Sequence, residues 1–272
     1  MGLGCNAVGV TGCRIIDSKK ERLAAILTNS FIPCNGRFPA LIAVISMFAF
    51  GGGFGFLGCG ALVLAVLGGI AATFAVTFIL TKTLLRGTPS TFTLELPPYR
   101  KPKIGSLIVR SVLDRTVFVL GRAVSVAAPA GLLIWILANV KLGESALISY
   151  VVCALEPIGR FMGLDGEILT GFILGIPANE IVLPVSLMCY TGGAQITEFS
   201  SVYAFRDVLV NNGWGLRTAL CMICFIVFHS PCATTLLTVK KETGKIRYAV
   251  LAFAIPVTVG FLLCSIINRI PL

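Results

Sequence analysis

Five side chains could bind a metal ion or carry a proton: Cys5, Cys34, Glu180, His229 and Cys232. Glu180 stands in GIPANEIVLP (residues 175–184), inside an otherwise apolar segment. A carboxylate at mid-membrane costs roughly 2.5–3.5 kcal/mol on insertion scales, so it needs a cavity, a cation or a partner. One reading makes Glu180 a cation ligand or proton acceptor. The other makes it a carboxylate at the start of a helix, where it complements the dipole. His229 is the only histidine of the chain and lies in HSPCATT, beside Cys232. Imidazole and thiol together suit a borderline first-row metal better than Mg or Ca, which prefer oxygen. Cys5 in GLGCN and Cys34 in IPCNGRFP are similar: a thiol among small or turn residues next to an apolar run. Packing of a histidine or loop cysteine accounts for each equally without metal. Asn6, Asn179 and Ser230 flank these residues and are the polar groups expected along a transport path.

The elements that position them must be membrane helices. Of 272 residues, 56% are hydrophobic and only 12% charged, and the mean hydropathy is +0.94. A soluble domain is about one quarter charged, so a soluble enzyme and a disordered chain are both excluded. The net charge of +10 is spread between apolar blocks. It reads as the basic bias of cytoplasmic loops, and no nucleic-acid partner is expected. Most of the ten cysteines lie within apolar runs, where a thiol behaves as a small hydrophobe. Cys221 and Cys224 form a CxxC without a second pair, so neither zinc nor redox chemistry is expected there. No GxxxxGK[ST] is present, so the chain has no phosphate-binding loop of its own.

Residues 39–80 carry no charge, twice the roughly 20 residues one crossing needs. They read as two helices, 38–50 and 57–80, joined through the glycines of 51–60. A polar linker with ELPPYRKPK follows to about residue 115, then helices at 117–139 and 248–267. Two apolar segments are interrupted by proline: 166–190 and 217–239. Interrupted segments mark transport sites, because lipid cannot satisfy the backbone groups a break releases. The expected fold is therefore an all-α, polytopic membrane helix bundle with two interrupted or re-entrant segments. Its parts are an N-terminal gate-type region (1–80), a cytoplasmic linker (81–116) and a C-terminal membrane region with a second gate-type motif (117–272). Lys and Arg counts place 1–37, 81–115 and 240–247 in the cytoplasm and 139–165 outside. The chain must then cross an odd number of times between 165 and 240. Either one interrupted segment is re-entrant, or the amphipathic piece near 199–210 contributes a crossing.

The ordered set GLGCN, Arg14, KKERLAAILTNSFIPCNGRFP, ELPPYRKP, GIPANEIVLP and SPCATTLLTVKKETG resembles the membrane part of the ferrous iron transport protein B (FeoB) family over nearly the whole chain. The resemblance implies a multi-pass protein of the bacterial cytoplasmic membrane that imports Fe2+ as transported substrate, with no permanently bound cofactor. It matches Cys5, Cys34 and Cys232 to the cysteines of the family's gate motifs and Glu180 to an acidic residue of an AKE-like segment. It implies that GTP acts only through a G domain outside this chain, as a separate domain or subunit in trans, and it allows a homo-oligomer in the lipid. Two departures stand out. Ala7 and Val8 follow Asn6 where the family has proline, and Asn179 replaces a lysine, removing a positive charge beside Glu180. A gate-type transporter of a nucleoside or other small solute is the alternative, with Asn179, Ser186 and Gln195 as hydrogen-bonding groups.

Overall fold

The computed structural model describes residues 2–48, 55–83, 104–110, 112–113, 117–143, 145–192 and 202–270. Most of the glycine run at 51–54, most of the polar linker and Gln195 lie outside these residues. The described chain is helical apart from one two-residue hairpin pairing Lys141–Leu142 with Ser145–Ala146. It is a multi-pass membrane helix bundle. Among the described residues, four stretches are long and apolar enough to cross a bilayer: Lys19–Met47, Phe56–Thr83, Leu216–Thr243 and Ile246–Asn268.

Two of these spans are broken. The first joins α2 (Lys19–Thr28) to α3 (Phe38–Phe48) through a 3-10 turn at Asn29–Phe31, an extended stretch and a second turn at Asn35–Arg37. α1 (Asn6–Gly12) precedes it. Pro33 cannot donate a helical hydrogen bond and pushes its predecessor out of the helical region. Ile32 is accordingly extended, at φ −85° and ψ 118°. The second broken span joins α11 (Leu216–Phe228) to α12 (Ala233–Thr243), with Pro231 in the gap. α3 packs on α11, and α1 on α12. Phe31, Leu41, Val44 and Met47 of the first span share one core with Ala219, Met222, Phe225 and Ile226 of the second.

Several expectations hold. α4 (Phe56–Thr83) and α13 (Ile246–Asn268, with Pro256 inside) fall where hydropathy places them. So does α6 (Phe118–Asn139), which follows the short α5 (Ile104–Arg110). α4 is scarcely buried, with Leu64, Phe74 and Phe78 exposed. A face of this kind fits acyl chains. One expectation is corrected. Residues 1–37 do not all form a basic cytoplasmic segment, since Leu27, Phe31 and Arg37 are fully buried within the first broken span. The helix from Phe38 is therefore not an isolated short crossing. α2 lengthens it and α11 shields it.

The interrupted segment 166–190 is a hairpin. α7 (Leu147–Met162) turns by 107° into α8 (Gly166–Leu174), with Gly163 at φ +74° in the corner. α8 packs against α9 (Val182–Thr191). At about 1.5 Å per residue, nine or ten residues reach about half the hydrocarbon thickness. The two ends of the hairpin are tied together: Tyr190 donates to the Asp165 carboxylate, and Trp214 Nε1 donates to Tyr190 at 2.8 Å. Asp165 also caps α8 through the Ile168 amide at 2.9 Å. The two ends of the hairpin thus lie side by side. α10 (Val202–Asn211) is equally short. One stretch long enough to cross, Leu216–Thr243, follows the hairpin.

The two hairpin helices approach closely at glycine. A Cβ on Gly171 would stand 2.0 Å from Ser186 Oγ, and one on Gly175 2.4 Å from Val182 Cγ2. Gly171→Val is expected to lower stability in detergent by about 1–3 kcal/mol, the usual cost of overpacking. Gly131→Ala, with open space around it, is the control. Equal thermal midpoints for both variants would contradict the packing described.

Candidate functional site: two helix breaks and a re-entrant tip

The tip of the hairpin, from Gly175 to a 3-10 turn at Asn179–Ile181, meets both breaks. The Ile176 carbonyl accepts from the Ala233 amide at 2.8 Å, satisfying a free donor at the start of α12. The Asn179 amide lies 3.2 Å from His229 Nε2 and 3.9 Å from Cys34 Sγ, and so bridges the two breaks. His229 Nδ1 is 2.8 Å from the Ile226 carbonyl. A carbonyl only accepts, so Nδ1 carries a proton, and Nε2 faces the amide oxygen of Asn179. Phe172 and Phe225 flank the ring at centroid distances of 5.0 and 6.3 Å. Glu180 lies over Gly36: a Cβ there would be 3.1 Å from Glu180 Cγ and Oε1. Its carboxylate is nonetheless exposed.

The two breaks share one local design. Cys34 and Cys232 each follow proline and each adopts the extended conformation of a helix N-cap, at φ −84°, ψ 168° and φ −62°, ψ 156°. The thiols thus sit at the starts of helical turns, where backbone amides favour negative charge. Cys34 is buried, and Cys232 is half-buried with its sulfur 3.2 Å from Thr235 Oγ1. Cys5 is the N-cap of α1 and half-buried. It comes close to Cys34 through the chain itself, since the Asn35 amide donates to the Gly4 carbonyl at 3.2 Å. Asn6 is buried and structural: its carbonyl accepts from Asn29 Nδ2 at 2.8 Å. Ser230 is buried in the second break.

One residue escaped the reading of the sequence. Arg37 belongs by local sequence to the basic residues of 1–37, yet it is 1% exposed. Its Nη1 donates to the carbonyls of Ser30 and Val227, both at 2.9 Å. Its Nη2 donates to the carbonyls of His229 and Ser230, at 3.1 and 3.0 Å. One guanidinium therefore satisfies carbonyls released at both breaks. Hydrogen bonds from a charged group contribute about 1.5–3 kcal/mol each, enough together to hold a charge that costs about 2.5–3.5 kcal/mol to insert. A signal existed: Arg37 closes an apolar Pro-Cys stretch and opens a long charge-free one.

The arrangement gathers Cys34, Asn179, Glu180, His229, Ser230 and Cys232 around the breaks, with Cys5 adjoining. It is not a preformed metal cage: among the described residues no three of His, Cys, Asp or Glu converge closely enough to hold an ion. An ion here would have to recruit ligands by small movements. A cavity of about 360 Å³ lies next to the tip, between α6 and α9, but Trp135, Ile134, Pro177 and Met188 line it and its walls are apolar. It does not hold the polar groups.

Two broken spans thus meet a hairpin tip within one membrane helix bundle. Residues 62–114 match a family described as "Ferrous iron transport protein B C terminus", and residues 120–246 one described as "Nucleoside recognition", or Gate. The chain is 29% identical over 92% of its length to an Fe(2+) transporter FeoB of Leptospira interrogans. It is 28% identical over 99% to one of Staphylococcus aureus, and 24% over 99% to one of Methanocaldococcus jannaschii. The chain is thus similar over nearly its whole length to proteins named Fe(2+) transporter FeoB. It spans about 40% of the length of those relatives. No solved structure gives a significant match.

Because His229 is the only histidine, its environment can be read chemically. The wild-type ring should resist diethylpyrocarbonate. Asn179→Ala should expose Nε2 and speed its modification, measured by mass spectrometry of the intact chain. Equal rates would mean that Asn179 does not cover the ring.

Proposed function

We propose that this chain is the permease portion of a ferrous iron importer of the bacterial cytoplasmic membrane. The observation that carries the reading is the meeting of two Pro-Cys breaks and the Asn179–Glu180 tip within one apolar bundle. Fe2+ sheds part of its water between the broken spans. The thiols of Cys34 and Cys232 and the Glu180 carboxylate take its place as ligands, a donor set suited to a borderline first-row ion. Cys5 serves at the neighbouring helix start. His229 joins only when Asn179 swings away from Nε2. Because no three donors are preassembled among the described residues, the ion is held loosely enough to leave again, as conduction requires. Movement at the proline and glycine breaks alternates access to the two sides. Nucleotide enters through a G domain outside this chain, in the same longer protein or as a separate subunit. The chain itself transports and is not an enzyme.

A nucleoside as cargo has the description of the Gate match in its favour. It needs hydrogen-bonding groups that face the path. Ser186 is committed elsewhere, with its hydroxyl on the Val182 carbonyl at 3.0 Å and packed against Gly171.

The test is Fe2+ uptake by proteoliposomes containing the chain, set against nucleoside uptake. Cys34→Ser, Cys232→Ser and Glu180→Gln should each lower Fe2+ flux by about tenfold or more, the scale seen when groups around a metal are removed. Undiminished flux in all three would remove the site assignment. Nucleoside uptake without Fe2+ flux would replace the cargo, and equal flux with and without the chain would make it a scaffold.

A further inference from the structure

Arg37 poses an electrostatic problem for a cation path. A buried guanidinium stands near the two cysteines proposed as ligands, and no carboxylate pairs with it among the described residues. Its four Nη–H bonds go to backbone oxygens, those of Ser30, Val227, His229 and Ser230. Those oxygens are the hard donors that helix breaks ordinarily offer to ions: unwound carbonyls coordinate alkali cations in broken-helix transporters, and oxygen donors suit Mg2+ and Ca2+. Here they are all occupied. What stays unbonded to Arg37 is softer: the sulfurs of Cys34 and Cys232, and His229 Nε2 behind Asn179. Glu180, exposed at the edge, is the one carboxylate among the site residues.

We propose that Arg37 is a selectivity-positioning residue, which withholds the carbonyl oxygens of both breaks from the ion and leaves a thiol-dominated site that rejects hard alkaline-earth cations. The inference rests on the assignment of Cys34 and Cys232 as ligands, though not on flux. Both functions of the guanidinium follow from its shape. Its planar fork reaches four acceptors at once, whereas a lysine ammonium is a compact point charge with three donors on one nitrogen. Arg37→Lys therefore keeps the charge and releases carbonyls. Arg37→Gln removes the charge as well.

The experiment is equilibrium binding to the purified full chain in nanodiscs. Cd2+ is the soft probe, read by its thiolate absorption and assigned through loss of that signal in Cys34→Ser and Cys232→Ser. Ca2+ is the hard competitor. Repeating each titration in a Glu180→Gln background removes the exposed carboxylate from the comparison. Wild-type protein should keep Cd2+ against a large excess of Ca2+. In Arg37→Lys the ratio of Ca2+ to Cd2+ affinity should rise by about tenfold, the scale of one released charge-assisted hydrogen bond. Arg37→Gln should show the same rise. A purely structural role would weaken both ions together and leave the ratio unchanged, which overturns the inference. So does a rise in Arg37→Gln alone, which would make charge and not oxygen the cause. Should neither variant fold, the wild-type titration decides, since Ca2+ displacing Cd2+ at comparable concentrations contradicts the proposal. Absence of any Cd2+ signal from Cys34 and Cys232 overturns the ligand assignment as well. Fe2+ flux failing while the binding ratios behave as described would count against the transport reading alone.

Discussion

The guanidinium of Arg37 is the contact on which the rest of this membrane domain turns. A break in a transmembrane helix releases carbonyl oxygens that lipid cannot satisfy. The chain has such a break in each of two packed spans, and one side chain answers both, bonding Ser30 in the first and Val227, His229 and Ser230 in the second. The charge and the breaks need each other. The carbonyls, three of them at the C-terminal end of α11, supply partial negative charge where the helix dipole already concentrates it. A neutral side chain of the same size would leave oxygens bare, and an arginine without the breaks would have too few acceptors at that depth.

From this junction the geometry of the site follows. With α2–α3 and α11–α12 held at their midpoints, Cys34 and Cys232 are both presented at helix starts near the same cation. The re-entrant hairpin then closes the arrangement from the side. Its base is fastened by Asp165, Tyr190 and Trp214, while its tip makes a single backbone bond, from Ala233 to Ile176, and the bridge of Asn179. The base is therefore bound more firmly than the tip. Close glycine packing at Gly171 and Gly175 holds α8 against α9.

Outside the junction the physics is simpler. α4, α6 and α13 present Leu, Val, Ile and Phe outward. Their sequence needs only length and apolarity, which explains why hydropathy located them to within a few residues. Near the surface, Arg14 and Glu242 form a two-pronged ion pair at 2.7 Å that fastens the segment after α1 to the end of α12. It ties the N-terminal region to the second broken span without entering the site.

Amino-acid order alone determined the solvent, the helices and the prolines that interrupt them, because hydropathy and the missing N–H of proline act locally. It also singled out Cys34, Glu180, His229 and Cys232, since ionisable and thiol groups in apolar runs demand an explanation. Tertiary structure decided the pairings. That 166–190 is a hairpin depends on the contact of Asp165 with Tyr190, and that Asn179 bridges His229 and Cys34 depends on where the tip lands. The burial of Arg37 was hidden for the same reason. A basic residue beside a turn has the same local signature in a loop as in a core, and only partners up to 193 residues away along the chain tell the two apart.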